Sequence, residues 1–443
     1  MYPLNPPAVY VHESVMADER YRRRVDGVVR ALERPVEPVV YRDADLPDLV
    51  KNRGLMAAYH KTMGTLAEVH DPVLVFNTFR FDGQFAARYA ALQAAGWDLG
   101  EGTAQAFVGA PAFHWACYNL KGDAARGDKV CRPCWRIHLQ QGCLHRCKYC
   151  GLGGVLISNV NVEEYCQHLG RIMDLHPWQT TYLLDDDADP PCLEPEHGTL
   201  GALMEFFGTR RNRYLIVHTK TSNTAWTSGV KKPGHTIAVW SLSGAGQSRL
   251  LEPRAGTTEE RIEAARAAQA AGVQIRYKFK PIIPVKTWRE DAAHAVKLLF
   301  ERTQPDIISL CCFMWMNIDG LKSCLPVDLL DPVYLKAAED SRAEVETTLA
   351  KPFPEWVLAE IYDHYLTEIR KWNRDIPVSL STENFPMWKR FEAKLGMNAT
   401  NYVCGCGPQC VPGLKKLSRH AFRVAVRKDG GRIPGVYGVG QDD

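Results

Sequence analysis

The chain has 443 residues, of which 46% are hydrophobic and 24% charged, so a long disordered chain or a collagen-like fibre is excluded. The net charge of +3 is too small to indicate nucleic-acid binding by itself, and no apolar run approaches the ~20 residues that span a bilayer. The N-terminus lacks a basic stretch followed by an apolar one, so we expect no secretory signal and a cytoplasmic location. Fourteen cysteines stand out, because in a reducing compartment cysteines are more often metal ligands, catalytic thiols or buried small side chains than disulfides.

Residues 1–130 predict an N-terminal α/β segment of unknown role. Helical periodicity runs through 17–32 and 84–95, and a short apolar strand is predicted over 72–76. The polar stretch 119–129, rich in Gly and Asp, is typical of a connector.

From residue 131 to 397, short apolar runs alternate with amphipathic helices. Strands are predicted over 136–140, 180–184, 214–219, 236–242, 274–283, 306–311 and 377–380, with helices that include 162–173, 200–207 and 259–271. This repetition predicts a parallel sheet with outer helices, either open or a partial barrel, whose chemistry gathers at the carboxyl ends of the strands. Residues 398–443 break the pattern and form an irregular tail rich in Cys, Gly and basic residues.

Cys143, Cys147 and Cys150 lie directly after the first predicted strand of this region. Their C-x3-C-x2-C spacing places three thiolates on one short loop, which suits three corners of an iron–sulfur cube and leaves one iron without a protein ligand. An exogenous ligand can bind at such an open iron. Zinc sites usually show paired C-x2-C units, which this triplet does not match.

The triplet, with Tyr149 before its last cysteine, resembles the radical S-adenosylmethionine signature. The spacing from Cys134 to Cys143, the segment YLIVHTK, the segment from IAVWSLSGAG to ARAAQAAGV and the segment STENFPMW together resemble the spore photoproduct lyase family over roughly 131–395. The resemblance implies an α/β fold with a partial (β/α)6 barrel. It also implies a [4Fe-4S] cluster, S-adenosylmethionine as cofactor, and a reducing partner such as flavodoxin or ferredoxin.

The family pattern carries over to particular residues of this chain. It assigns S-adenosylmethionine binding to Tyr149, Lys220 and Ser241, and orientation of the cofactor or a role in the fold to Glu252 and Arg261. Without the resemblance, Lys220 would be interpreted as a surface lysine and Ser241 as a strand serine, although both lie at the ends of predicted strands.

One departure from the family concerns the thiol that returns a hydrogen atom to the product radical. Its expected position falls on the acidic run Asp185–Asp187, and the nearest cysteine, Cys192, is displaced by about six residues. A carboxylate has no weak S–H bond to give, so a simple lyase reaction is disfavoured. Asp186 is our candidate within an acidic run that either holds substrate hydroxyls and ammonium groups or is a solvated loop.

A second departure is the tail, where Cys404, Cys406 and Cys410 predict another metal loop. An auxiliary iron–sulfur cluster is favoured, with zinc completed by Cys131 or Cys134, and uncoordinated thiols, as alternatives. The tail must double back into the barrel if this centre is to touch substrate. Cys311 and Cys312 end a late strand and offer a fourth ligand or a reactive thiol, for which Cys312 is the candidate, or are buried strand cysteines.

The basic residues give weaker indications. Lys278 and Lys280 share one face of a strand and, if that face lines the barrel, are suited to an anionic substrate. The basic residues between Lys415 and Lys428 give weak support for nucleic acid, which is not favoured.

The sequence therefore predicts an enzyme that generates a 5′-deoxyadenosyl radical and acts on a small nucleoside- or nucleotide-like substrate. Sulfur insertion into a sugar during natural-product biosynthesis, with the auxiliary cluster as sulfur source, is narrowly favoured over epimerisation or another rearrangement. A DNA photoproduct lyase and a non-catalytic iron–sulfur or zinc protein that binds nucleic acid are the alternatives.

Overall fold

Short, largely buried apolar runs build two sheets in the computed structural model. The model describes residues 1–52, 55, 71–111, 113–116, 130, 134–152, 154–185, 187–314, 316–345, 351–399, 402–407 and 410–413. The first sheet has the order β2-β1-β3-β7-β6. Its strands are β1 (Val9–His12), β2 (Val39–Tyr41), β3 (Val73–Asn77), β6 (Gln140–Gln141) and β7 (Val155–Asn159).

The second sheet has the order β13-β12-β11-β10-β9-β8-β5-β4, and its strands are parallel except for the antiparallel β4. Its strands are β4 (Phe113–Ala116), β5 (Cys134–Ile137), β8 (Thr181–Leu184), β9 (Tyr214–Thr219), β10 (Thr236–Leu242), β11 (Gln274–Ile282), β12 (Ile308–Cys312) and β13 (Val378–Leu380). Helices follow these strands along the chain, so the predicted partial barrel is confirmed.

The helices fall into two groups along the chain. Those before the cysteine triplet are α1 (Glu19–Arg30), α2 (Leu46–Lys51), α3 (Phe85–Ala94) and α4 (Glu101–Phe107). Those after it are α5 (Val162–Leu175), α6 (Thr199–Gly208), α7 (Ala245–Leu251), α8 (Thr258–Ala270), α9 (Trp288–Arg302), α10 (Ile318–Cys324), α11 (Pro332–Asp340), α12 (Arg342–Val345), α13 (Glu355–Trp372) and α14 (Phe385–Leu395). None of the helices in the described residues is both long enough and apolar enough to cross a membrane.

The ends of α8 show why the sequence forms this helix where it does. The Thr257 hydroxyl accepts a hydrogen bond from the amide of Glu260, whose carboxylate accepts one from the amide of Thr257. This reciprocal pair satisfies two amides that have no partner within the first turn. Gly272, at φ +98°, follows the helix and lets the chain turn away.

The two faces of the barrel sheet bury different sets of residues. On β9, Leu215 and Val217 join the large core formed with the outer helices. Ile216 belongs instead to a small cluster with Leu183, Ile237 and Val239. We call the face that carries this small cluster the inner face, because the helices cover the other.

Each of the two sheets contains a strand from the other side of residue 130. β4 lies before this residue and pairs with β5 of the barrel, whereas β7 lies after the cysteine triplet and pairs with β3 of the first sheet. The N-terminal segment is thus joined to the loop that carries the triplet. The predicted connector over 119–129 lies outside the described residues.

Candidate metal and cofactor site

The cysteine triplet lies on the loop between β6 and β7. Gly142 begins this loop at φ +98°, and a Cβ atom there would lie 2.0 Å from the carbonyl oxygen of Val155. The Gly142 amide also donates a 3.0 Å hydrogen bond to the carbonyl of Asp187, beyond the end of β8. A glycine is therefore required where the chain enters the loop.

The three thiols are buried or half-buried and close enough to interact electrostatically. Burial raises the pKa of the Cys147 thiol to about 12 and raises the pKa of Cys143 and Cys150 as well. Thiolates in such a place need a compensating positive charge, which the irons of a cluster provide. The donor set therefore fits a [4Fe-4S] cluster with three protein ligands.

A buried carboxylate, Glu252, gathers several donors beside the triplet. Its Oε1 accepts hydrogen bonds from the Tyr149 hydroxyl at 2.5 Å, the Lys220 Nζ at 2.9 Å and the Ser243 hydroxyl at 2.7 Å, and its Oε2 pairs with Arg261. Burial alone would raise the pKa of Glu252, but the charges of Arg261 and Lys220 hold it well below its usual range. Glu252 is thus an anion that aligns an ammonium and a phenol against the cysteine loop.

The structure brings Tyr149 and Lys220 together and sets Ser241 on a neighbouring strand. Lys220 follows the last residue of β9, and its amide donates to Asp189 at 2.7 Å. Ser241 is half-buried near the end of β10, where it pairs in register with Lys278 of β11. Lys220 and Ser241 therefore lie at or near the carboxyl ends of barrel strands, and Tyr149 reaches Lys220 from the cysteine loop through Glu252.

Cys192 lies in a different environment from the barrel interior. It packs in the core of the N-terminal sheet with Leu193 and Leu144. Its Sγ is 3.5 Å from the Nε2 of His145, which in turn lies 2.6 Å from a carboxylate oxygen of Asp189. The carboxylate also accepts from Thr219 and Lys220, so this buried group ties the cysteine loop to β9.

In the acidic run after β8, the described residue Asp185 contacts the backbone and a neighbouring histidine. Asp185 has a left-handed backbone, and its carboxylate accepts hydrogen bonds from the amides of Leu139 and Gln140 and pairs with His138. Burial raises the pKa of Asp185 to about 6, although His138 acts in the opposite direction. Asp186, the candidate for substrate contact, lies outside the described residues.

Cys312 faces the helices, which corrects its prediction as a reactive thiol of the barrel mouth. It belongs to the large outer core, and its amide donates to the Tyr362 hydroxyl of α13 at 3.1 Å. Its neighbour Cys311 takes the opposite face, where its Sγ is 3.4 Å from the Thr382 hydroxyl. Adjacent strand residues point to opposite faces, so the two thiols lie on different sides of the sheet.

The C-terminal tail returns to the inner face of the barrel. We define the tail segment as residues 402–407 and 410–413. Arg276 of β11 donates to the carbonyls of Gly405, Cys410 and Val411 at 2.8–3.1 Å while it forms a buried ion pair with Asp306.

Contacts to other strands extend this docking. The Thr181 hydroxyl of β8 donates to the carbonyl of Gly407, and the Gly405 amide donates to the Ser309 hydroxyl of β12. The tail therefore lies against residues of β8, β11 and β12 on the inner face of the barrel.

Cys406 lies among polar and charged side chains of the tail and the barrel. Hydrogen bonds from Cys404 and His218 and the charge of Lys278 lower the pKa of Cys406 well below its usual range, against the opposing effect of burial. Cys404 and Cys410 both interact with the Arg276 cation. Cys131 and the side chain of Cys134, named above as zinc ligands, lie outside the described residues, as does the basic stretch from Lys415 to Lys428.

Sequence reasoning missed His218 and Arg276. Both lie on the inner face at period two from a lysine that was singled out, His218 from Lys220 and Arg276 from Lys278. The two-residue alternation of a strand could therefore have identified both residues. The tail contacts could not be predicted from the sequence, because they join residues more than 120 positions apart.

Comparison with known proteins agrees with this geometry. A family model described as spore photoproduct lyase matches residues 131–314. Spore photoproduct lyase from Clostridium acetobutylicum is 23% identical over 178 residues, which cover 38% of this chain and 53% of that protein. The chain thus spans about half the length of the curated relative that it matches.

Solved structures extend the likeness to the fold. A spore photoproduct lyase variant with bound S-adenosylmethionine and dinucleoside spore photoproduct superposes with a TM-score of 0.57 at 12% identity, covering 86% of this chain and 99% of that one. Spore photoproduct lyase complexed with the dinucleoside photoproduct gives the same values. The chain therefore resembles the spore photoproduct lyase family of radical S-adenosylmethionine enzymes in the sequence of its barrel and in its fold.

Proposed function

We propose that the chain is a radical S-adenosylmethionine enzyme in which Cys143, Cys147 and Cys150 hold a [4Fe-4S] cluster. When bound, the cluster and S-adenosylmethionine supply a 5′-deoxyadenosyl radical that abstracts hydrogen from a substrate. The observation that carries this proposal is the juxtaposition of three buried or half-buried thiols with the Glu252 carboxylate and its donors. A reducing partner such as flavodoxin or ferredoxin would supply the electron.

The chain's own residues would bind and orient the cofactor. Lys220 presents an ammonium group that is 14% exposed and fixed by Glu252, and Tyr149 is fixed by the same oxygen. Arg261, whose side chain is fully buried, holds the other oxygen of Glu252 and prevents its rotation. Such an arrangement keeps polar donors in place at the end of the barrel.

The test is whether the anaerobically reconstituted and reduced protein converts S-adenosylmethionine to 5′-deoxyadenosine. We expect formation of 5′-deoxyadenosine and its loss in Cys147→Ala. A protein that carries iron and sulfide, is reducible, and yields no 5′-deoxyadenosine would instead support the non-catalytic alternative, an iron–sulfur or zinc protein that binds nucleic acid.

The finer proposal is sulfur insertion into the sugar of a small nucleoside- or nucleotide-like substrate in natural-product biosynthesis, with a second, auxiliary iron–sulfur cluster held by Cys404, Cys406 and Cys410. Two observations support it. The backbone of the tail segment is bound by Arg276 of β11, Cys406 packs in the small cluster of the inner face, and Lys278 lies on that face with its charge near Cys406. A lysine there suits an anionic group of the substrate.

This finer proposal predicts a separation of two activities in Cys404→Ala. The variant should retain cleavage of S-adenosylmethionine and lose incorporation of sulfur, followed by mass spectrometry of the product. Unchanged sulfur incorporation in Cys404→Ala would contradict sulfur donation from the tail.

A photoproduct lyase activity is the second candidate, and the family match supports it as much as it supports sulfur insertion. Against a simple lyase stand Cys192, which packs in the N-terminal core, and Asp185, whose carboxylate is bound to amides and His138. Incubation with dinucleoside spore photoproduct distinguishes the two, because only a lyase would release the repaired dinucleotide. Repair of duplex DNA would in addition show binding that weakens steeply with salt.

A further inference from the structure

Three buried side chains converge between the cysteine loop and the segment that follows β8. One nitrogen of His145, one carboxylate oxygen of Asp189 and the Sγ of Cys192 all lie within 4.8 Å of one another. The Nε2 of His145 is 2.6 Å from the Oδ2 of Asp189 and 3.5 Å from the Sγ of Cys192. A nitrogen, an oxygen and a sulfur donor are thus grouped around one common point.

The distances within this group are close to those around a single zinc ion. Bonds of about 2.3 Å to sulfur and about 2.0–2.1 Å to nitrogen, at a tetrahedral angle, separate the two donors by roughly 3.5 Å. The separation of Cys192 Sγ and His145 Nε2 is 3.5 Å. The 2.6 Å between His145 and Asp189 is a hydrogen-bond length, which would widen to roughly 3.3 Å when a metal replaces the shared proton.

Hydrogen bonds outside the group orient two of the three donors. The Nδ1 of His145 is 3.2 Å from the carbonyl oxygen of Arg254. Because a carbonyl only accepts, the proton lies on Nδ1 and Nε2 is the nitrogen available to a metal. The two oxygens of Asp189 accept from the Thr219 hydroxyl and the Lys220 amide, each at 2.7 Å. Partners of this kind fix the orientation of metal ligands in proteins.

The charge and softness of the donors suit a zinc ion. The three residues are at most 5% exposed, so an unbalanced charge at this place would be costly. The thiolate of Cys192, the carboxylate of Asp189 and a neutral imidazole carry two negative charges, which a divalent cation balances. A thiolate with an imidazole favours zinc over magnesium or calcium, which prefer oxygen ligands.

We propose that His145, Asp189 and Cys192 bind one zinc ion. Three protein ligands leave the fourth tetrahedral position to water or another small ligand. His145 lies between Cys143 and Cys147 in the chain, so the ion joins the loop of the cysteine triplet to the segment after β8. This site depends neither on the radical reaction nor on the tail cluster of the proposed function.

The test counts zinc in the full-length chain after the three cysteines of the loop and the three of the tail are changed to Ala. No zinc can then be held by either of these groups. The protein is isolated from cells supplied with zinc, and no metal is added afterwards. Elemental analysis should find about one zinc per chain, and X-ray absorption should show about one sulfur ligand at ~2.3 Å with lighter ligands at ~2.0 Å.

Two further substitutions assign the ligands. Cys192→Ala and His145→Gln, each added separately, should remove the zinc. Cys166→Ala, at a buried cysteine of α5, and His294→Gln, at an exposed histidine of α9, are the matched controls and should retain it. Cooperative unfolding in urea shows that each variant is folded. The same difference of about one zinc is expected between the wild type and its Cys192→Ala variant, a comparison that does not need the other substitutions.

The outcomes separate zinc binding from a purely hydrogen-bonded group. One zinc that both ligand variants lose and both controls keep supports the site. A folded protein without zinc, zinc that either ligand variant retains, or a zinc shell without sulfur overturns it. A different metal that follows the same variants overturns the assignment to zinc. Formation of 5′-deoxyadenosine is measured separately, so failure of the radical reaction leaves this result standing.

Discussion

The two cysteine groups reach the barrel in different ways. Cys143, Cys147 and Cys150 lie on one loop that follows β6 directly and is held by local turns and by the Glu252 group. The tail cysteines lie far along the chain and reach the barrel because Arg276 binds their backbone. The first group therefore follows its strand directly in the chain, whereas the second reaches the barrel only through contacts to distant residues.

The two groups also differ in their relation to the segment that matches the family model. The loop and its charged neighbours fall within the segment that matches the family model, whereas the tail lies outside residues 131–314. Shared cofactor chemistry is thus associated with the loop, and we assign the individual reaction of this chain to the tail. The predictions below separate the two groups.

Cys147→Ala has the largest expected effect. Loss of one of three ligands should abolish formation of 5′-deoxyadenosine and lower the iron content by about four per chain, while the tail cluster remains. Iron analysis and chromatography of the product measure both. Cys166→Ala, at a buried cysteine of α5 outside both groups, should keep full iron content. Equal iron loss in the two variants would refute a ligand role for Cys147.

Glu252→Gln should impair the first group strongly without removing a ligand. The change leaves Arg261 buried without its counter-charge, which costs about 3–5 kcal/mol of stability. We expect formation of 5′-deoxyadenosine to fall at least about tenfold, equivalent to ~1.4 kcal/mol in barrier height. Urea denaturation and initial rates test this. Glu263→Gln, in an exposed pair on α8, is the control and should change stability by well under about 1 kcal/mol.

Arg276→Met should act on the tail and spare the loop. The variant loses the hydrogen bonds to the tail carbonyls and leaves Asp306 buried without its partner. We expect loss of the iron that belongs to the tail, with 5′-deoxyadenosine still formed per remaining cluster. Arg266→Met, at an exposed arginine of α8, should have neither effect. Iron retained at the wild-type level in Arg276→Met would show that the tail does not need this contact.

The smallest effect is a pH dependence of stability near the first group. Burial raises the pKa of Asp185 to about 6, above the value of 3.8 for a free aspartate. The folded state therefore binds the proton more tightly, and the free energy of unfolding should fall as the pH rises from about 4 to 6, by up to about 3 kcal/mol. Asp185→Asn should remove this slope, measured by urea denaturation of the metal-free protein. A slope that is unchanged in the variant would assign it to another group.

Sequence patterns predicted the barrel well because its signals are local. The strands over 214–219 and 236–242 match the structure residue for residue, and the start and stop signals of α8 hold. The exchange of β4 and β7 between sheets was not predictable from local patterns, since pairing partners lie far apart in the chain.

Some residues of the candidate site could be predicted from the sequence, and others could not. The cysteine triplet, Tyr149 and Lys220 follow from spacing and resemblance. Cys312 lies on the face of β12 opposite to Ser309 and Cys311, and the polar Ser309 marks that alternation in the sequence. Arg276 was not identified because its partners are backbone carbonyls of the tail, which no side-chain pattern reveals.

The central claim is that the chain holds two separate clusters, one in the loop and one in the tail. Iron and sulfide counted per chain in three proteins test it most directly: the wild type, a variant with Cys143, Cys147 and Cys150 changed to Ala, and one with Cys404, Cys406 and Cys410 changed to Ala. We predict about eight irons in the wild type and about four in each variant. About four irons in the wild type, all lost with the loop cysteines and none lost with the tail cysteines, would contradict the account.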